Sequence, residues 1–180
     1  MKKVVVIIAL LLLLTGCSNV KYLNYDKIIQ EFSTSVSNSN IYRTGYKYYL
    51  PRGMEVSKST LYNEVLTDNS YVYYLYVDVV SYYNDIKESY EVNKEAVYSQ
   101  GISYNDKFGY VEINLTKNDK YLVEIMYNYA KIEVKVDRKD INEAISYSLS
   151  VLTSIRYNDK VIENIMGEDV LNNHEESVNI

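Results

Sequence analysis

The chain holds one histidine, His174, and one cysteine, Cys17, among its 180 residues. That scarcity removes most routes to chemistry. A Ser-His-Asp relay needs an imidazole beside its nucleophile, and no Gly-x-Ser-x-Gly turn is present. His174 stands in "NNHEES", where Glu175 and Glu176 add two further metal-ligating types. A metal site needs several ligands on a rigid frame, so the plainer reading is a solvated tail. Ser57, Lys58 and Ser59 hold the residue types of a Ser-Lys nucleophile, in a tripeptide too common to specify one. There is no Gly-rich phosphate loop and no cysteine cluster, and no cofactor or metal is expected.

Carboxylates and tyrosines remain. Asp78 interrupts an apolar run, and a buried acid is a candidate general acid or base. Its simpler role is a hydrogen-bonded polar residue. Glu112 and Glu124 stand on the two arms of an expected hairpin and can approach each other there. Paired carboxylates serve glycosidases at a defined separation; each pairing with a nearby lysine on a wet face is the simpler alternative. The chain has 22 tyrosines and no tryptophan. The runs "YKYY", "YVYYLY" and "YNY" contain candidates for ligand binding: Tyr46, Tyr48, Tyr49, Tyr73, Tyr74 and Tyr76. Aromatic side chains bury large area at low entropic cost, which suits a groove for a peptide, a glycan or a wall component. The competing explanation is packing, together with the codon usage of an AT-rich genome.

These residues need elements to hold them. Asn24 is placed to cap a helix from about Tyr25 to Thr34, with Ile28, Ile29 and Phe32 on one side. "STSVSNSN" reads as a linker. "YKYYLPRGMEV" reads as a strand, a turn at Pro51 and Gly53, and a second strand. "TLYNEVL" predicts a further short strand. Ser70 to Tyr83, dense in Val and Tyr, predicts one long central strand with both faces covered. Asn84 to Asn93 predicts a short helix or loop, and "EAVYSQGIS" a weak strand or helix. "FGYVEINL" and "YLVEIMY" flank "TKNDK" as a hairpin. In "AKIEVKV" the residues Ala130, Ile132, Val134 and Val136 should face inward and Lys131, Glu133 and Lys135 outward. Asp140 and Glu143 make a capping-box pattern, ahead of Ile141, Ile145, Ser148, Leu149 and Leu152 at helical spacing. "TSIRY" predicts a last short strand. Asp159 is placed to cap a helix that turns Val161, Ile162 and Ile165 inward and ends at Gly167.

The N-terminus has a different pattern. Lys2 and Lys3 precede an uninterrupted apolar run, Val4 to Leu14, which is the layout of an export signal. The run is too short to span a bilayer, which needs about 20 residues. Leu14-Thr15-Gly16-Cys17 then resembles the lipobox of bacterial lipoproteins. The resemblance implies cleavage before Cys17, a diacylglyceryl thioether on its sulfur, and two acyl chains, which anchor where one binds only marginally. It also accounts for an odd cysteine in an exported protein. The expected location is the extracytoplasmic face of the cell membrane. The net charge of −5 argues against nucleic acid as a partner.

The expected organisation is a signal peptide at 1–16 and a lipid-anchored N-terminus with short helix and linker at 17–40. One α+β domain follows at 41–167, with an acidic, loosely ordered tail at 168–180. The expected fold class is an antiparallel β-sheet packed with helices. From "YLPRGMEV" through the long tyrosine-rich strand, the meander Tyr110 to Val136 and "DINEAISYSLSVLTSIRY", the element order resembles the Mog1/PsbP-like α/β/α sandwich. No activity follows from that fold, which serves unrelated roles. The functional expectation is a tethered, non-catalytic module that binds an envelope protein, a glycan or a peptide. The alternative is a small exported hydrolase using carboxylates or a Ser-Lys pair.

Overall fold

A computed structural model describes residues 25–33, 37–104 and 106–176, with 168–176 as backbone only. The export signal, the lipobox at Cys17, the Asn24 cap and part of the linker lie outside the described residues.

The protein is α+β. Its main sheet has seven strands, all antiparallel: β3 (Glu55–Ser59), β4 (Asn63–Thr67), β5 (Val72–Val77), β6 (Tyr98–Tyr104), β7 (Lys107–Leu115), β8 (Tyr121–Tyr127) and β9 (Ala130–Val136). Their spatial order is β3-β4-β5-β9-β8-β7-β6. Two meanders, β3 to β5 and β6 to β9, therefore join where β9 lies against β5. A smaller antiparallel sheet holds β1 (Ile41–Arg43), β2 (Tyr46–Tyr48) and β10 (Arg156–Tyr157), in the order β1-β2-β10. "YKYYLPRGMEV" is thus two strands as expected, but they belong to different sheets.

Among the described residues there are four α-helices: α1 (Tyr25–Ser33), α2 (Val79–Tyr83), α3 (Ile141–Ser154) and α4 (Asp159–Glu176). The helix α3 lies across β8 and β9. Its inward positions are those the spacing predicts, with Ile141, Ile145, Ser148, Leu149 and Leu152 all buried. They meet Ala130, Ile132, Val134 and Val136 of β9, which are buried as well. The helix α1, expected in a linker ahead of the domain, packs on α3 and contributes Ile29 to the core.

Several local expectations give way to particular hydrogen bonds. The strand expected to run to Tyr83 stops at Val77, because the Asp78 carboxylate accepts the Ser81 N–H at 2.9 Å and caps α2. Asp140 makes no side-chain cap on α3; its carboxylate accepts the Tyr71 hydroxyl at 2.6 Å instead. Asp159 accepts the Tyr82 hydroxyl at 2.7 Å, and the carbonyl of Asn158 opens α4 by accepting from Val161 and Ile162. That helix passes through Gly167 to Glu176.

The most consequential difference concerns the faces of β5. Tyr73, Leu75 and Val77 are buried on the side of α3, whereas Val72, Tyr74 and Tyr76 are exposed. The strand is interior to the sheet, as expected, but covered on one face only. Among the described residues α1 and the small sheet pack with α3 on one face of the main sheet, and a second helical layer, implied by the sandwich resemblance, is not among them.

Candidate functional site

Strand pairing fixes which side chains share the open face. Because side chains alternate along a strand, direct partners form rows across the sheet. One row runs Val65, Tyr74, Glu133, Glu124, Glu112 and Ser99. The next runs Asn63, Tyr76, Lys131, Met126, Tyr110 and Gly101. A groove of about 610 Å³ lies over these rows. Tyr74, Tyr76, Tyr110 and Tyr129 supply its aromatic surface, and Ile86 and Glu88 of the loop after α2 form part of its wall. A smaller hollow of about 210 Å³ adjoins it and shares Glu88, Tyr110 and Met126 with it.

The first row places three carboxylates on successive strands. Like charges directly opposite one another are destabilising, so each must be compensated. Lys131 donates to Glu133 at 2.6 Å and lies 3.8 Å from Glu124. Glu124 also accepts a hydrogen bond from the Tyr110 hydroxyl. Glu112 accepts from the Tyr90 hydroxyl at 2.7 Å, Asn93 at 2.9 Å and Asn114 at 2.8 Å. The Lys131 hydrogen bond holds the Glu133 carboxyl below its ordinary range. Partial burial opposes the same effect at Glu112, but the donors Asn114, Asn93 and Tyr90 together outweigh it and keep that carboxyl low too.

The loop after α2 is held over one end of the face by stacking. The rings of Tyr90 and Tyr110 lie 4.2 Å apart and nearly parallel. At the other side of the groove, Asn128 and Tyr129 form the two-residue turn between β8 and β9, both with positive φ. Asn suits that conformation; Tyr does not. The Tyr129 ring is fixed edge-on against Tyr82 and Phe108, and its hydroxyl donates to Asp85 at 2.8 Å. Burial first, and then that carboxylate, push the Tyr129 hydroxyl up to about 12.

The six tyrosines singled out in the sequence separate cleanly. Tyr74 and Tyr76, 59% and 43% exposed, stand on the open face. Tyr46, Tyr48 and Tyr73 are buried, which withdraws them as surface ligands. Their hydroxyls are used internally: Tyr46 and Tyr48 each donate to Glu64 at 3.0 Å, and Tyr73 donates to Asp68 at 2.7 Å. Tyr49 is half-buried outside the groove, its N–H bound to the Ser154 hydroxyl at 2.8 Å. Glu64, 2% exposed, also takes the Arg43 guanidinium at 2.6 Å, tying the small sheet to β4.

Asp78 is a helix cap at the rim of the groove. Glu112 and Glu124 are direct partners, as the hairpin allowed. Ser57 and Ser59 are exposed on the edge strand β3 and donate to backbone carbonyls. His174 falls in α4. Sequence reading missed Tyr110 and Glu88 as groove residues, held Tyr129 only as part of the run "YNY", and took Lys131 and Glu133 only as water-facing. The alternation of β9 carried part of that signal; the loop's return over β7 left none.

Among the described residues no group of three or more His, Cys, Asp or Glu could hold a metal ion, and no helix is long and apolar enough to cross a membrane. No protein-family model matches the chain, and comparison with curated proteins finds no match.

Proposed function

We propose that the protein is a lipid-anchored extracytoplasmic binding module. Cys17 carries the diacylglyceryl anchor, and the open face of the main sheet receives a partner from the cell envelope. The observation that carries the binding half is the groove over β4, β5, β9, β8 and β7, with Tyr74 and Tyr76 exposed within it. Exposed aromatics in a preformed concavity are what recognition surfaces use, because two-torsion side chains lose little entropy on contact. The anchoring half rests on Leu14-Thr15-Gly16-Cys17 and the apolar run before it.

Neither Glu112 nor Glu133 suits the role of general acid in hydrolysis. A carboxylate pair that cleaves glycosidic bonds needs one member kept protonated near neutral pH. Glu112 and Glu133 are both held below the ordinary range, which suits charge display rather than proton donation.

The test uses the full chain in its own cell. Cys17→Ala should lose metabolic fatty-acid labelling and leave the membrane fraction, or accumulate uncleaved. Equal labelling and retention would refute the anchor. A photo-crosslinking residue at position 74 should form discrete adducts on intact cells, while one at the exposed Lys160 should not. Identical adduct patterns at both positions would refute the open face as the binding surface.

A further inference from the structure

The groove and its adjoining hollow carry an unbalanced set of charges. Of the acids lining them, Glu64 is matched by Arg43 beneath the sheet. That leaves Asp78, Glu88, Glu112, Glu124 and Glu133 against Lys58, Lys131 and Lys135, the last lying beside Tyr74 and Glu133, a formal excess of two negative charges. The smaller hollow has Glu88, Glu112 and Glu124 and no cation of its own. The exposed ring of Tyr74 stands directly beside Glu133 in the strand register. A cation resting on that ring would therefore meet the negative π face and a carboxylate together. The fold already seats one ammonium in this row, since Lys131 lies between Glu133 and Glu124.

Shape adds a second constraint. Between β4 and β7 the larger groove, whose lining also takes in Lys58 of β3, crosses β5, β9 and β8, four interstrand steps, or roughly 19 Å at about 4.8 Å per step. An extended peptide of about six residues covers that length at about 3.3 Å per residue.

We infer that the open face binds an extended, lysine- or arginine-bearing peptide segment of a partner protein, laid across the strands with its cations over Tyr74 and the Glu133–Glu124–Glu112 row. This rests on the binding reading above and specifies its ligand class. Charge complementarity of this kind sets partner choice and association rate. It also disfavours anionic wall polymers, which would meet the same excess with repulsion.

The test titrates the full chain in detergent micelles with hexapeptides bearing one tryptophan. The protein has no tryptophan, so indole emission reports the peptide alone. The probes are a peptide with alternating lysines, its glutamate counterpart and its serine counterpart, with a neutral oligosaccharide followed by calorimetry. The lysine peptide should saturate and the glutamate peptide should not. Its affinity should fall at least about tenfold between 50 and 500 mM salt, because screening shortens the Debye length. Tyr74→Ala should weaken it by about tenfold and Glu88→Gln severalfold, both with unchanged melting, since both side chains are exposed. If the serine peptide or the oligosaccharide binds instead, and Tyr74→Ala weakens that binding, the cationic assignment is overturned while the groove stands as a site. If no probe binds, or if binding ignores Tyr74→Ala and Tyr76→Ala alike, the groove reading falls as well.

Discussion

Glu64 shows how one buried residue can hold two sheets together. Its two carboxylate oxygens accept from Arg43, Tyr46 and Tyr48, and the rings of those tyrosines stack 6.3 Å apart. Burial and the Glu64 charge both push the two hydroxyls up, so they stay protonated donors. Glu64→Gln removes the charge and leaves Arg43 without its partner. Breaking a buried pair from one side costs about 3–5 kcal/mol; because Arg43 is partly exposed, the expected loss is near the lower figure. Urea unfolding of the full chain should show it as a lower midpoint with unchanged slope. Replacing Arg43 and Glu64 together with apolar residues should not recover it, because the buried Tyr46 and Tyr48 hydroxyls then lose their acceptor.

The open-face acids give a pH prediction with a definite sign. Glu112 and Glu133 titrate below their ordinary value of 4.5 in the folded protein. Their contribution is therefore fully present above that value and disappears as pH falls through the lowered folded values. Melting temperature followed downward from pH 6 should fall in that acidic window. Glu112→Gln should flatten the fall, because the donors Tyr90, Asn93 and Asn114 then hold a group that does not titrate. An unchanged acid limb in this variant would show that the three donors do not favour the charged form.

At the scale of elements, the meander β6 to β9 depends on close approach of backbones. A Cβ at Gly109 would lie 2.0 Å from the Met126 carbonyl oxygen and 2.8 Å from the Tyr127 Cα. Backbone cannot swing aside as a side chain can, so Gly109→Ala should cost about 3 kcal/mol or more and shift the β7–β8 register. Gly167 has nothing within 4 Å of its added Cβ and sits inside α4. Gly167→Ala should therefore stabilise by about 0.5–1 kcal/mol. Thermal melts of the two variants against the parent should move in opposite directions.

The meander was also the part most legible in the sequence. "TKNDK" centres the hairpin so that Glu112 opposes Glu124, and strict alternation in "AKIEVKV" sorts its residues into buried and outward sets. The long tyrosine run was harder. Its composition marks a strand, yet Asp78 ends that strand by a side-chain cap that Asp also offers in many non-capping places. The run's two faces look equally apolar, because tyrosine serves a buried face and a wet one alike. Only the distant pairing of β5 with β9 decides that Tyr73 points to α3 and Tyr74 to solvent. The groove depends further on the return of Tyr90 over Tyr110, a contact between a polar loop and a strand that no local periodicity announces.

Across the whole molecule, one sheet has two unlike faces. The face under α3 is an aliphatic core, and the other carries tyrosines, acids and a loop that curls over its far end. The most direct measurement is residue-resolved chemical-shift mapping of the full chain in micelles, titrated with the alternating lysine peptide. Saturable shifts are expected on Tyr74, Tyr76, Glu133, Glu124 and Tyr110, with α1 and α3 unchanged. Shifts confined to the helices, or no saturable shift on the open face, would contradict open-face binding.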